Sequence, residues 1–262
     1  MSYIVRPKKS LGQHFLIDLN IAQAIADTLD NYKNTPILEV GPGMGVLTQY
    51  LLSKGHDLTV VELDHESIEY LQENFPELKG HILEEDFLKL DLSKLFSGNF
   101  CVIGNYPYNI SSQIFFKVLE YKDHIPCCSG MIQKEVAERM AAPPGSKTYG
   151  ILSVLLQAWY EIEYLFTVPE HVFNPPPKVK SAVIRLTRNE RVELGCEEKL
   201  FFNVVKTGFN QRRKTLRNSI RGIIPPGFDS PYLNLRPEQL GITDFLQLCQ
   251  DIEKNRNIGD KA

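Results

Sequence analysis

Residues 37–52 decide how the first half of this chain folds, and they read ILEVGPGMGVLTQYLL. The short apolar run at 37–40 is typical of a buried strand, and the residues after Gly45 suit a helix. The turn between them contains Gly41, Gly43 and Gly45, which lack the side chains that would keep a ligand away from the backbone. The start of the helix adds N–H groups that favour a polar ligand. Because the spacing differs from G-x-G-x-x-G, this turn alone could still be an ordinary tight turn.

The strand and helix unit repeats along the rest of the first half. Strands that alternate with helices indicate a mainly parallel sheet with helices on both faces, so the predicted fold class is α/β. The predicted strands cover residues 37–40, 58–63, 81–83, 100–104, 129–133, 160–168 and 179–186.

After Arg188 the pattern changes from alternating strands and helices to helices alone. The later segments, 200–209, 211–221, 237–240 and 243–252, are all predicted to be helical and are separated by turn residues. We therefore predict two domains, an α/β domain at 1–188 and a small all-helical C-terminal domain at 189–262.

Composition is that of an ordinary folded protein, with 43% hydrophobic and 23% charged residues and a net charge of −3. The five cysteines contain no Cys-x-x-Cys pair, which argues against a zinc site or a disulfide framework, and we expect no metal and a reducing cytoplasm. No apolar run approaches the roughly 20 residues of a membrane span, so we expect no membrane association.

Two carboxylates follow the next two predicted strands. Glu62 ends the second strand, where an acid can accept hydrogen bonds from the ribose hydroxyls of a nucleoside cofactor. Asp86 follows the third strand, where it can accept from an adenine amino group. Together with the glycine turn they predict a nucleoside-cofactor site. They do not separate a methyltransferase from a dinucleotide-dependent oxidoreductase.

The segment Asn105-Tyr106-Pro107-Tyr108 follows the fourth strand, at the sheet edge where open α/β folds bind ligands. An adenine N6 amine is a poor nucleophile because its lone pair is delocalised into the ring. Acceptors such as the Asn105 side-chain carbonyl and a backbone carbonyl at Pro107 can hold its N–H groups and free that lone pair. Tyr108 offers a ring for stacking a flipped base. The motif therefore favours an adenine N6-methyltransferase.

With these residues the chain resembles the ribosomal RNA adenine N6,N6-dimethyltransferases, whose Rossmann-like fold uses S-adenosylmethionine. The similarity runs from about Lys8 to about Asp251 and includes the segments KSLGQHFL at 9–16, EVGPG at 39–43, ELD at 62–64, NYPYNIS at 105–111 and VFNPPPKVKSAV at 172–183. The sequence departs from the family at His14, which is often Asn, and at Tyr106, which is usually Leu or Ile. The resemblance implies that cofactor is bound by His14, Leu16, Gly41, Gly43, Glu62, Asp86 and Asn105. It implies a catalytic set of Asn105, Pro107 and Tyr108, with Phe173 as the second aromatic wall around the adenine.

The stretch FNQRRKTLRN at 209–218 is similar to the C-terminal domain of family members that act on small-subunit RNA. Those enzymes dimethylate two adjacent adenosines in the 3′-terminal hairpin loop of 16S ribosomal RNA, so the implied partner is this RNA within the immature small subunit. Phosphate contacts are expected from Arg212, Arg213, Lys214 and Arg217, since Arg and Lys give affinity without reading sequence. The same charges could instead form a solvated helix face.

A dinucleotide-dependent oxidoreductase is supported only by the glycine turn and Glu62. Two further functions also remain open at this point. One is the large-subunit (23S) ribosomal RNA methyltransferase of the macrolide-resistance type, which would share the cofactor and the chemistry. The other is a non-catalytic ribosome-assembly or RNA-binding factor, against which the intact Asn105–Tyr108 motif argues.

Overall fold

The computed structural model describes residues 5–259. Contacts between Cα atoms divide the chain into two compact units. The first contains the residues up to Ala137 together with Glu161–Arg188, and the second contains Glu138–Tyr160 together with the residues from Asn189 onward. Glu138–Tyr160 belongs to the second unit, although it lies within the predicted domain at 1–188.

The α/β fold class is confirmed by the elements of the first unit. Its strands are β1 (Phe15–Leu16), β2 (Ile37–Val40), β3 (Leu58–Glu62), β4 (Ile82–Glu84), β5 (Cys101–Asn105), β6 (Cys127–Gln133), β7 (Tyr160–Val168), β8 (Phe173–Asn174) and β9 (Ser181–Arg188). Its helices are α1 (Leu19–Asp27), α2 (Thr48–Ser53), α3 (His65–Asn74), α4 (Leu92–Leu95), α5 (Ser111–Glu120) and the start of α6 (Lys134–Met140).

Seven strands form one sheet in the order β4-β3-β2-β5-β6-β9-β7, and β1 pairs with β8 in a separate two-stranded sheet. The five strands from β4 to β6 are parallel, whereas β9 runs antiparallel to β6. The chain adds β3 and β4 on one side of β2 and then crosses to add β5 on the other. This change of direction leaves a crevice at the carboxyl ends of β2 and β5, where open α/β sheets bind ligands.

The central strands are apolar on both faces because helices cover both sides of a parallel sheet. Every residue of β2 is buried, and Ile37, Leu38, Cys101 and Ile103 have no exposed surface. α1 packs Ala22, Ile25 and Ala26 into the same core, and Asp18 caps it by accepting hydrogen bonds from two backbone N–H groups. The buried strands therefore hold the loops at their carboxyl ends on a rigid base.

The second unit is helical apart from its turns. Its helices are α7 (Ile151–Gln157), α8 (Glu198–Asn210), α9 (Leu216–Ser219) and α10 (Ile242–Gly259). Rings of Tyr149, Phe209 and Phe245 pack against one another in its core. The helix predicted at 211–221 is wrong in length, because only Leu216–Ser219 is helical and residues 211–214 form a turn closed by Lys214 N–H donating to Gln211 O.

Candidate active site

A cavity of about 210 Å³ lies at the carboxyl edge of the parallel strands. Its wall is built from the loops that follow β2, β3, β4 and β5 and from residues 11–15. Most of the predicted site residues line it, namely His14, Gly41, Gly43, Glu62, Asp86, Asn105, Pro107 and Tyr108. Four loops that are distant in sequence thus meet at one place.

Two of the predicted residues do not line this cavity. Leu16 and Phe173 face each other as partners in the β1–β8 pair, and their side chains are 4% and 2% exposed. Both belong to the hydrophobic core. The roles predicted for them, cofactor contact and second aromatic wall, stay predictions.

The glycine-rich turn after β2 has the backbone geometry that glycine permits. Gly41 and Gly43 have φ angles of 68° and 54°, in the left-handed region that other residues rarely adopt. A Cβ atom on Gly43 would also lie 2.8 Å from the Phe15 ring. A side chain at either position would be strained, so the turn leaves its backbone open to the cavity.

Glu62 is a buried carboxylate held by backbone N–H groups. Its Oε1 accepts from Leu63 at 2.8 Å and from Asp64 at 2.9 Å, and its Oε2 accepts from Gly43 at 3.1 Å. Burial raises the pKa of Glu62, and these three hydrogen bonds act in the opposite direction. Oε2 keeps an acceptor site for a ligand hydroxyl, since a carboxylate offers about four lone-pair sites.

Glu39 lies beneath the same turn, and the sequence reasoning did not identify it. It is fully buried within β2 and accepts a hydrogen bond from the Thr48 hydroxyl at 2.7 Å. Burial raises the pKa of Glu39 to about 8, and nearby Glu62 adds to the shift. Glu39 is therefore mainly protonated at neutral pH. A glutamate inside an apolar strand is the signal that could have revealed it.

Asp86 is held less tightly than Glu62. Its Oδ1 accepts from Leu88 N–H at 3.0 Å, and its Oδ2 lies 3.7 Å from the Lys89 ammonium. The side chain is 29% exposed. Asp86 can thus still accept a hydrogen bond from a ligand amine.

Asn105 ends β5, and its amide orientation is fixed by the N-terminal segment. Nδ2 donates to the backbone carbonyl of His14 at 3.0 Å. Because a carbonyl can only accept, the nitrogen must face His14, and Oδ1 has no hydrogen-bond donor within residues 5–259 and is left as an acceptor at the cavity wall. This is the orientation that the proposed chemistry of the motif requires.

Tyr108 is fixed at both its ring and its hydroxyl. The His14 ring stacks on it with centroids 5.4 Å apart and planes 28° apart, and its hydroxyl is hydrogen-bonded to Ser181 on β9. Burial raises the pKa of Tyr108, so the hydroxyl stays neutral. The Tyr108 side chain therefore offers a positioned ring and not an ionising group.

Tyr106, which is unusual for the family, is only 1% exposed. Its hydroxyl donates to the Ser129 carbonyl at 2.8 Å. The ring occupies the space that side chains at Gly104 and Gly130 would fill, because a Cβ on either glycine would lie 3.1 Å or 2.7 Å from a ring atom. The tyrosine thus anchors the motif to the sheet and adds no hydroxyl to the cavity.

A second feature missed by sequence reasoning holds the N-terminal segment near the cavity. Asp64 is 2% exposed and is hydrogen-bonded to the Lys8 ammonium and, at 3.3 Å, to the Gln13 amide. Burial opposes ionisation of Asp64, but the hydrogen bonds from Lys8, Ser67 and Gln13 outweigh it and lower its pKa. The carboxylate is therefore ionised and ties residues 8–13 to the loop after β3.

The predicted RNA-contacting residues of the second unit differ in their contacts. Arg212 donates to the Ser146 carbonyl at 3.0 Å, and Arg217 pairs with Asp229 at 2.6 Å. Arg213 and Lys214 are exposed, and within residues 5–259 neither has an ion-pair partner. Only these two have charges that are free of such contacts.

No group of three or more His, Cys, Asp or Glu side chains is placed to hold a metal ion in residues 5–259. Within the same range, no helix combines the length and apolarity needed to cross a membrane.

Comparison with known proteins agrees with the geometry. Ribosomal RNA small subunit methyltransferase A of Parabacteroides distasonis is 73% identical over 255 residues, covering 96% of each chain. The protein of that name from Phocaeicola vulgatus is 67% identical, covering 95% of this chain and 91% of its own.

Solved structures show the same fold. A dimethyladenosine transferase from Plasmodium falciparum superposes with a TM-score of 0.76 at 24% identity, covering 93% of this chain and 98% of its own. The 23S rRNA methyltransferase ErmE superposes with a TM-score of 0.66 at 26% identity, covering 91% and 99%. The family described as ribosomal RNA adenine dimethylase matches residues 4–241. The chain belongs to the ribosomal RNA adenine dimethylase family.

Proposed function

We propose that this enzyme dimethylates the N6 amines of two adjacent adenosines in the 3′-terminal hairpin loop of 16S ribosomal RNA, acting on the immature small subunit in the cytoplasm. The activity is that of its family, an S-adenosylmethionine-dependent rRNA adenine dimethylase. The choice of subunit is supported by relatives named for the small subunit at 73% and 67% identity, against 26% for the 23S enzyme ErmE.

The cavity residues fit the cofactor. Glu62 Oε2, which has one backbone donor, can accept from a ribose hydroxyl, and Asp86 Oδ2 can accept from the adenine amine. The backbone at Gly43 has no side chain to block the approach. When bound, S-adenosylmethionine supplies an electrophilic methyl group.

The chain then acts on the target amine by positioning it. Asn105 Oδ1 accepts one N–H of the amine, and we assign the other to the Pro107 carbonyl, whose one backbone donor is Ile110 N–H at 3.3 Å. The amine lone pair is then available for in-line transfer. Most of the rate would come from orientation, since Tyr108 stays neutral and the methylated cationic amine loses its proton readily.

The observation that carries this proposal is the orientation of Asn105 by the His14 carbonyl. We expect N105A to lose methyl transfer by at least about a hundredfold, as for other preorganised hydrogen-bonding groups. Its affinity for S-adenosylhomocysteine, measured by calorimetry, should fall far less. Transfer at the wild-type rate in N105A would refute the mechanism.

The substrate is tested by incubating the enzyme with labelled S-adenosylmethionine and unmethylated small or large ribosomal subunits, followed by nucleoside analysis. Dimethyladenosine confined to small subunits is the expected result. Label in large subunits would favour the resistance-type activity, and label in neither would favour a non-catalytic assembly factor.

We also propose that residues 189–262 form an RNA-binding domain that contacts phosphates through Arg213 and Lys214, with Arg212 and Arg217 as supporting contacts. The free charges of the first two support this ranking. R213Q/K214Q should weaken binding to small subunits. The slope of the logarithm of the binding constant against the logarithm of the salt concentration should become shallower by roughly 0.7–0.9 for each charge removed. An unchanged slope would mean that Arg213 and Lys214 form a solvated surface and do not contact phosphates.

A further inference from the structure

The turn between β8 and β9 carries two exposed lysines beside the catalytic motif. Residues 175–180 read PPPKVK and contain no acidic residue. Lys178 and Lys180 are exposed, and Val179 between them is 44% exposed. We call residues 175–180 the proline-lysine turn.

Two hydrogen bonds hold this turn, and a third holds the residue that follows it. His14 Nδ1 donates to the Pro175 carbonyl at 2.8 Å, and Lys134 N–H donates to the Lys180 carbonyl at 2.9 Å. The residue after Lys180 is Ser181, which is hydrogen-bonded to the Tyr108 hydroxyl. Lys178 and Lys180 therefore lie within three residues in sequence of Ser181, which contacts the Tyr108 side chain.

Two lysines on the cofactor side of the cavity are paired with carboxylates. Lys8 is bound to Asp64 and to Glu66, and Lys89 lies 3.7 Å from Asp86. In contrast, neither Lys178 nor Lys180 has a side-chain hydrogen bond or ion pair within residues 5–259. Their charges are available to a partner.

The charge of the cavity explains why such cations would be needed there. The cofactor side carries the carboxyl groups of Glu62 and Asp86, which disfavour an approaching polyanion. A nucleotide whose base stacks on Tyr108 brings its flanking phosphates to the rim of the cavity. Two unpaired ammonium groups on the turn that His14 contacts, next to Ser181, would offset the repulsion.

We propose that Lys178 and Lys180 bind the backbone phosphates that flank the target adenosine. This inference rests on the proposed function, because it requires an RNA substrate at the Tyr108 ring. The lysines give affinity and placement without reading sequence, as is usual for phosphate contacts. They would form a second RNA contact, additional to Arg213 and Lys214.

The test compares K178Q/K180Q with the matched control K33Q/K79Q. Lys33 and Lys79 are also exposed, but they precede β2 and β4 and so lie at the opposite, amino edge of the sheet. Each double variant is assayed as the full chain with unmethylated small ribosomal subunits at several salt concentrations. The measurements are KM for subunits, kcat and affinity for S-adenosylhomocysteine.

We expect K178Q/K180Q to raise KM for subunits about tenfold at low salt. The slope of log KM against the logarithm of the salt concentration should become shallower by about 1.4, as expected for the loss of two contacts to single-stranded RNA. The effect on KM should exceed that on kcat, and cofactor affinity should match the wild type. K33Q/K79Q should leave KM and its salt slope unchanged.

A wild-type salt slope in K178Q/K180Q, or an equal loss in the control, would overturn this inference alone. Wild-type enzyme that neither bound nor methylated small subunits would overturn the proposed function and this inference with it. A lowered affinity for S-adenosylhomocysteine in K178Q/K180Q would also count against it, because the lysines would then act on the cofactor side.

Discussion

In the cofactor half of the cavity, formed by Gly41, Gly43, Glu62 and Asp86, each acid accepts backbone N–H groups from residues one or two positions away. In the base half, formed by His14, Asn105, Pro107 and Tyr108, the hydrogen bonds of Asn105 and Tyr108 span 91 and 73 residues. The first half is thus built mainly by local turns, and the second by tertiary packing. The cofactor half should therefore depend on its individual groups, and the base half on Asn105 and on the long-range contacts that hold Asn105 and Tyr108.

The largest expected effect on ligand affinity is in the cofactor half. E62Q replaces one acceptor oxygen with an NH2 group, which would face the backbone N–H donors of Gly43 or of Leu63 and Asp64. E62Q loses a charge-assisted hydrogen bond and places two hydrogen-bond donors opposite each other. S-adenosylhomocysteine binding should therefore weaken about a hundredfold, or roughly 3 kcal/mol. Calorimetry with the purified protein measures this directly. An affinity within a few-fold of wild type would mean that Glu62 does not contact the cofactor.

An intermediate effect is expected from Glu39, on stability and not on binding. Its pKa is about 8 when folded, above the ordinary 4.5, so the folded state holds a proton that the unfolded state releases between these values. The stabilisation from protonated Glu39 is present below about pH 4.5 and is lost as pH rises through about 8. The free energy of unfolding, measured with urea, should fall more steeply with rising pH for the wild type than for E39Q. The difference between the two proteins should change by roughly 1.4 kcal/mol per pH unit within this window. Parallel pH profiles would show that Glu39 is ionised in the folded protein.

The smallest effect concerns the base half. Y108F keeps the ring and removes its bond to Ser181, and S181A removes the same bond from the other side. Each should slow methyl transfer about fivefold, from a net hydrogen-bond contribution of about 1 kcal/mol, with cofactor affinity unchanged. The double variant Y108F/S181A should be no slower than either single variant. Additive losses would mean that the two groups act independently and that this half is not held by their contact.

The same contrast explains how much could be predicted from sequence. The parallel sheet, the glycine turn, Glu62 and Asp86 follow from hydrophobic period and from strand ends, which are local patterns. Glu39 and the Lys8–Asp64 contact were missed because the sequence does not show whether a charged residue is buried, paired or exposed.

Tertiary contacts account for the other differences. Residues 211–221 suit a helix by composition, yet the chain turns at 211–214 and Arg212 donates to Ser146 instead. Intrinsic helix preference is a weak guide where such contacts compete. The grouping of Glu138–Tyr160 with the second unit likewise depends on packing between distant segments, which no local pattern records.

Gly104 and Gly130 are paired partners on β5 and β6, and the Tyr106 ring covers both of them. The ring thus takes the place of two side chains on the sheet surface, so the backbone of the motif cannot shift without opening a void between two central strands. The Asn105–Tyr108 segment, proposed as the catalytic motif, is therefore packed as part of the sheet and should keep one shape with or without RNA. Any adjustment to differently shaped RNA must then be made by the RNA itself or by segments outside the motif.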